Sequence, residues 1–195
     1  LQHQSANGVP GFEPALGDLN VARYFPDTSV DRWWQAALTV EGKISDLDLV
    51  YSGSYMDRDV DTSSDYSAYT YNYDVYYAST PQYFGNLFRN DAGDVISPAM
   101  RMLSHNLFTK SSHELRLSSP SDWRLRFVVG AFLQQQQNDT RNEFRVDGLA
   151  TIYSITGQPG VQYLNAMTRI DRDWAVFGEA SYDLGSKLTL TGGLR

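Results

Sequence analysis

The chain of 195 residues carries 16 basic and 23 acidic side chains, a net charge of −7, and no cysteine. The acidic balance argues against a general nucleic-acid binder, and without thiols neither disulfides nor thiolate metal sites can form. No apolar run reaches the ~18 residues of a membrane helix, but alternating barrel strands hide their apolar half in any average and are not excluded.

Residues 1–32 hold Gly8, Pro10, Gly11, Pro14, Gly17 and Pro26 with little period, which predicts a long loop. The chain opens on Leu1 rather than Met, without a signal peptide, and reaches Arg195 inside an alternating run, so it is expected to be an excerpt. A first hairpin is predicted over 33–58. Trp34, Ala36, Leu38, Val40 and Gly42 share one face of its first arm; Leu47, Leu49, Tyr51, Gly53 and Tyr55 share that face of the second. A two-residue turn at Ser45-Asp46 sets Ile44 against Leu47, Val40 against Tyr51 and, on the other face, Lys43 against Asp48, matching apolar with apolar and opposite charges with each other.

A long polar connection is predicted over 59–110, with a tyrosine-rich patch, YSAYTYNYDVYYASTPQYF, at 66–84. The central hairpin, HELRLSSPSDWRLRFVVGAFL at 113–133, alternates strictly on both sides of a polar break whose Pro120 presets φ and cannot donate to a ladder. One face carries His113, Leu115, Leu117, Trp123, Leu125, Phe127, Val129, Ala131 and Leu133; the other carries Arg and Glu. A second long connection covers about 135–169, in which 142–155 alternates weakly and is expected to lengthen the strands above a membrane. A third hairpin, WAVFGEASYDLGSKLTLTGGLR at 174–195, sets Trp174, Val176, Gly178, Ala180, Tyr182, Leu188, Leu190, Gly192 and Leu194 on one face.

All three tight links, near 45–46, 119–122 and 183–187, fall on one side, and all long links fall on the other. Long unstructured links are uncommon in compact soluble domains, whereas outer-membrane barrels have short periplasmic turns and long outer loops. Trp34, Tyr55 and Trp174 are placed near an outer interface, Trp123 and Tyr182 near an inner one. The fold class expected is all-β: a fragment of an antiparallel transmembrane β-barrel, about six strands in an open curved sheet. A soluble sandwich whose apolar faces meet each other is the other reading of the same pattern.

Residues 113–134 and 174–195 resemble the barrel portion of TonB-dependent outer-membrane receptors. In that family an ELRL-type strand, a Ser-Pro turn, an Arg-Leu-Arg strand and a later FGEASYDL…KLTLTGGLR hairpin recur in this order. SYMDRDVDTSSDYSAYT, residues 54–70, is similar to the strand-to-loop segment that precedes them there. The resemblance implies a Gram-negative outer-membrane location, lipid around the barrel, and a small-molecule ligand such as an iron–siderophore. It also implies a TonB complex engaged through a separate N-terminal part, and a parent barrel of about 22 strands. The whole of 1–195 is then one partial barrel domain, without the family's plug, its coupling segment or the aromatic residue expected at a barrel's end. Six strands fall short of the roughly eight of the smallest ordinary membrane barrel, so this piece alone is not expected to transport.

Candidate chemistry is thin, and no enzyme activity, cofactor, resident metal or nucleic-acid partner is expected. Asp57, Asp59, Asp61 and Asp65 invite a calcium reading, but an EF-hand loop from Asp57 wants glycine at Thr62 and glutamate at Ala68, so a solvated acidic rim is the plainer account. His3, His105 and His113 lack metal-like spacing, and His113 is simplest as a strand-end residue. No nucleophile elbow places a serine. Glu114, Arg116, Arg124, Arg126 and Glu179 are expected to form a lumenal charge ladder; in the family such residues often meet the plug, though mutual salt bridging is the plainer account. Tyr66, Tyr69, Tyr71, Tyr73, Tyr76, Tyr77 and Tyr83 are ligand candidates in an outer loop, or else loop packing. Arg58 at the strand mouth suits an anionic ligand or the neighbouring aspartates. A soluble carbohydrate-binding module and a passive porin stay open as alternatives to the receptor.

Overall fold

The computed structural model describes residues 1–8, 13–18, 20–79 and 87–195. Antiparallel pairing links β1 (Gln2–Asn7), β2 (Thr28–Ile44), β3 (Leu47–Asp65), β4 (Met100–Ser118), β5 (Leu125–Val146), β6 (Val161–Gly185) and β7 (Leu188–Leu194) into one sheet in sequence order. The fold is all-β, 65% strand, and the sheet is open rather than closed into a barrel. One helix, α1 (Ser67–Ser79), follows β3.

The three predicted hairpins are β2–β3, β4–β5 and β6–β7. The first has the predicted register, with Ile44 opposite Leu47, Lys43 opposite Asp48 and Val40 opposite Tyr51. Lys43 Nζ lies 3.2 Å from Asp48 Oδ1. Ser45 takes φ 55°, the left-handed conformation that matches a two-residue turn to strand twist. The third hairpin is tighter than predicted, because β6 continues to Gly185 and a register shift between Asp183 and Gly185 absorbs the extra residue.

Three expectations change. The loop expected over 1–32 contains β1, which pairs with residues 28–33 and makes a seventh strand. The connection expected over 59–110 shrinks to 66–99, and the one over 135–169 shrinks to 147–160. His113 therefore sits within β4 rather than at a strand end, and its Nδ1 lies 2.8 Å from Tyr51 Oη. Apart from Met100, Val146 and Val161 at their far ends, these added stretches have no buried apolar side chain, and they lack the strict apolar alternation that marks a half-buried strand. They are held by the backbone ladder and by cross-strand polar pairs such as Thr168 Oγ1 donating to Asp139 at 2.5 Å.

Pairing lays the apolar residues in rows across the sheet. One row reads Val40, Tyr51, Leu115, Ala131, Val176; the next reads Leu38, Gly53, His113, Leu133, Trp174. The belt runs along β2 from Trp34 to Ile44, about 33 Å at ~3.3 Å per residue. At the ~45° tilt of membrane strands this becomes about 23 Å, close to the ~25 Å height of a barrel's apolar band. From the Trp34 row outward the same face becomes mostly polar, through Asp57, Thr109 and Gln137 and then Arg32, Asp59, Asp139 and Thr168, with Ile170 and Leu107 among them.

Among the described residues no core covers the belt. Leu38, Leu133 and Trp174 are 61%, 58% and 76% exposed. Among the described residues the buried hydrophobic side chains are Phe88, Met100, Val146, Leu149, Ala150 and Val161, at the long-link end of the sheet. The short links are 45–46, 119–124 and 186–187; the long ones are 8–27, 66–99 and 147–160, all on the opposite side.

On the polar face, the ring of Phe177 lies over Gly130 directly across the ladder. A Cβ at Gly130 would stand 2.8 Å from Phe177 Cε2 and 2.9 Å from the Leu115 carbonyl oxygen, which is backbone and cannot yield. Gly192 has nothing within 4 Å of the equivalent position. Gly130→Ala should therefore destabilise the sheet by ~1–3 kcal/mol, while Gly192→Ala should stay within about 0.5 kcal/mol. Denaturant midpoints of the two variants check this, and equal midpoints would refute the close approach.

Candidate functional site

Helix α1 starts where β3 ends. The Asp65 carboxylate accepts the backbone N–H of Ser67 at 2.9 Å and of Tyr24 at 2.7 Å, so one side chain caps the helix and ties it to the first long link. Burial alone would raise this carboxyl, but the Ser67 hydroxyl and the Ser67, Tyr24 and Phe25 N–H groups hold it below the ordinary aspartate range.

The helix buries its small polar side chains, Ser67, Thr70 and Asp74, instead of its rings. The Thr70 hydroxyl contacts the Pro98 carbonyl at 2.5 Å, Ser67 Oγ accepts the Met100 N–H at 3.1 Å, and Asp74 accepts the Leu87 N–H at 2.8 Å. Rings fill the outward side. Tyr66–Tyr69, Tyr69–Tyr73 and Tyr73–Tyr77 centroids lie 5.2, 4.6 and 6.3 Å apart, the i, i+3 and i, i+4 neighbours of a helix. Tyr66 also meets Phe144 edge-on at 5.2 Å, and Phe144 meets Tyr163 at 5.5 Å, so the row continues onto the sheet. Tyr69, Tyr73 and Tyr76 are exposed. Tyr71 faces another way, stacked on Tyr24 at 4.9 Å. Tyr83 lies outside the described residues. Residues 67–79 of the tyrosine segment expected as a loop are thus a helix: its Y-x-Y spacing reads as strand or loop, and the buried face is polar and gives no apolar period.

The five lumenal candidates divide into two groups. Glu114 and Arg116 pair at 2.6 Å along β4 and line a polar-face concavity with Glu179, Val128, Phe132 and Phe177. Arg126 instead clamps Asp183 at 2.5 and 2.7 Å beside the β6–β7 link. Arg124 precedes β5, donates to the Asp183 carbonyl at 2.8 Å, and lies 5.0 Å from the Tyr182 ring centre. Arg58 is also engaged, though not by its sequence neighbours: across the ladder its Nε and Nη2 donate to Asp31 at 2.9 and 2.6 Å.

Pairing also gathers residues that their spacing in the sequence keeps apart. Asp61 stands directly opposite His105, with Asp59 two residues along β3. His105 Nδ1 lies 2.7 Å from Asp61 Oδ1 and 3.6 Å from Asp59 Oδ1, and Arg32 Nη1 lies 3.2 Å from Asp59 Oδ2. Spacing along one strand could not show this; only the register of β3 against β4 does.

No family model, curated protein or solved structure matches the chain.

The Arg58 guanidinium holds the Asp31 carboxyl below its ordinary range through charge-assisted hydrogen bonds. A lowered carboxylate pKa adds stability above the unfolded-state value, and that stability is lost as pH falls through the folded one. Asp31→Asn should therefore cost up to about 1 kcal/mol at neutral pH, and its unfolding midpoint should converge on the unmutated one in strong acid. A constant gap at every pH would count against the pair.

Proposed function

We propose that this sheet is part of the barrel of a TonB-dependent receptor in the outer membrane of a Gram-negative bacterium, and that its parent imports a scarce nutrient. The uncovered apolar belt carries the membrane half of this reading. A contiguous exposed apolar surface of this extent needs a partner, and its height and the aromatic pair Trp34–Tyr55, 5.3 Å apart at one border, suit lipid. The receptor half rests on the motif resemblance in 54–70, 113–134 and 174–195. An iron–siderophore complex is the default cargo because it is the family's commonest. TonB would engage a part of the parent outside this sheet.

The ligand role falls to α1. A helix that spends Ser67, Thr70 and Asp74 on packing turns Tyr69 and Tyr73 to solvent, and tyrosine gives large contact area at low entropic cost. The same rings would serve a soluble carbohydrate-binding module, but such a module gives no reason for the uncovered belt.

Two measurements on the full-length parent test the reading. Val129 belongs to the belt and Val128 to the polar face opposite Glu179. Val129→Arg should lower folding yield into lipid vesicles, with a penalty of ~2–4 kcal/mol near the midplane, whereas Val128→Arg should fold nearly normally. Equal yields would overturn the assigned faces. Separately, a Tyr69→Ala/Tyr73→Ala variant should bind ligand to cells at least about tenfold more weakly, while the barrel keeps its heat-modifiable migration on a gel. Unchanged binding would leave the rings as packing only.

A further inference from the structure

We propose that Asp59, Asp61 and His105 form a binding site for a divalent metal ion of the zinc type on the outer flank of the sheet. One ligand atom from each residue lies within 4.8 Å of the others. Tetrahedral zinc holds ligand atoms about 3.3 Å apart, so the 2.7 and 3.6 Å separations around His105 Nδ1 need only small side-chain movements. All three residues sit on paired strands, Asp61 directly opposite His105, so the backbone already fixes their spacing. An independent observation concerns Asp59 Oδ1. It is closed off from solvent yet has no hydrogen-bond partner, although the carboxylate's other oxygen meets Arg32. A desolvated carboxylate oxygen 3.6 Å from an imidazole nitrogen and without a hydrogen bond suits a cation between them.

The donor set selects the ion. One imidazole nitrogen with two carboxylate oxygens suits zinc, nickel or copper, while calcium and magnesium prefer all-oxygen shells. Three protein ligands leave a fourth position for water or for an outside donor. Arg32 is the resident competitor, since its Nη1 reaches both Asp59 at 3.2 Å and Asp61 at 3.6 Å. Its side chain is half exposed and can swing out when an ion enters.

The test is zinc titration of the purified full-length protein in detergent, with magnesium and calcium as controls. One saturable zinc equivalent is expected, weakened at least about tenfold in His105→Ala and in Asp61→Asn. Arg32→Gln should act in the opposite direction and tighten zinc about fivefold, because a competing ion pair is gone. A merely structural charge network would not produce that gain. Absence of saturable zinc binding by both the unmutated protein and Arg32→Gln overturns the site, as does binding that survives both His105→Ala and Asp61→Asn in protein shown to be folded by heat-modifiable migration.

Discussion

The structure depends on one arrangement: the backbone ladder of a single sheet whose apolar belt has no core packed on it among the described residues. In a soluble β-protein the ladder is assisted by a core, and side-chain burial fixes its register. Here register comes from the ladder and its turns, and the apolar rows wait for an external partner. Lipid satisfies such rows without competing for backbone hydrogen bonds, and antiparallel strands satisfy that backbone among themselves. The two requirements suit each other, and for this reason the uncovered belt outweighs any individual residue.

Height along the strands then sorts everything else. Within the belt the two faces differ, apolar against polar. Beyond the Trp34 row polar and apolar residues mix on both faces, the strands continue, and the only buried hydrophobic cluster among the described residues forms where the long links fold over the sheet end. β6, at 25 residues, is more than twice the ~9–11 that cross a bilayer. The extra length lifts α1 and its tyrosines clear of the belt. It also provides the polar ladder on which Arg58 meets Asp31 and His105 meets Asp61.

Sequence alternation revealed what one wet and one apolar face make visible. The hairpins, the Ile44–Leu47 register and the faces of Val128 and Val129 could all be read because each strand carries a period of two there. Residues 100–112 and 161–173 were not legible, since polar and apolar residues mix on both faces, as with Leu107 beside Phe108, and leave no contrast. Helix α1 was hidden for a different reason: its packing face is Ser67, Thr70 and Asp74, so hydrophobic periodicity points nowhere. Asp59, Asp61 and Asp65 look like one acidic run, yet Asp65 caps a helix while Asp59 and Asp61 meet His105. Only cross-strand pairing separates those roles.

The sheet's edges carry the argument one step further. β1 covers only residues 28–33 of β2, so 34–44, the part that bears the belt, pairs on one side alone among the described residues. β7 covers only residues 178–185 of β6, leaving 161–177 in the same state. In water such edges are tolerable, because solvent takes the free N–H and C=O groups. In hydrocarbon each unpaired group costs several kcal/mol, and no open edge persists. A lipid-facing belt and a bare edge along that same belt are therefore incompatible in the assembled protein. If the belt meets lipid, further strands must run beside Trp34–Ile44 and beside Trp174–Phe177, and the open sheet is one arc of a closed wall.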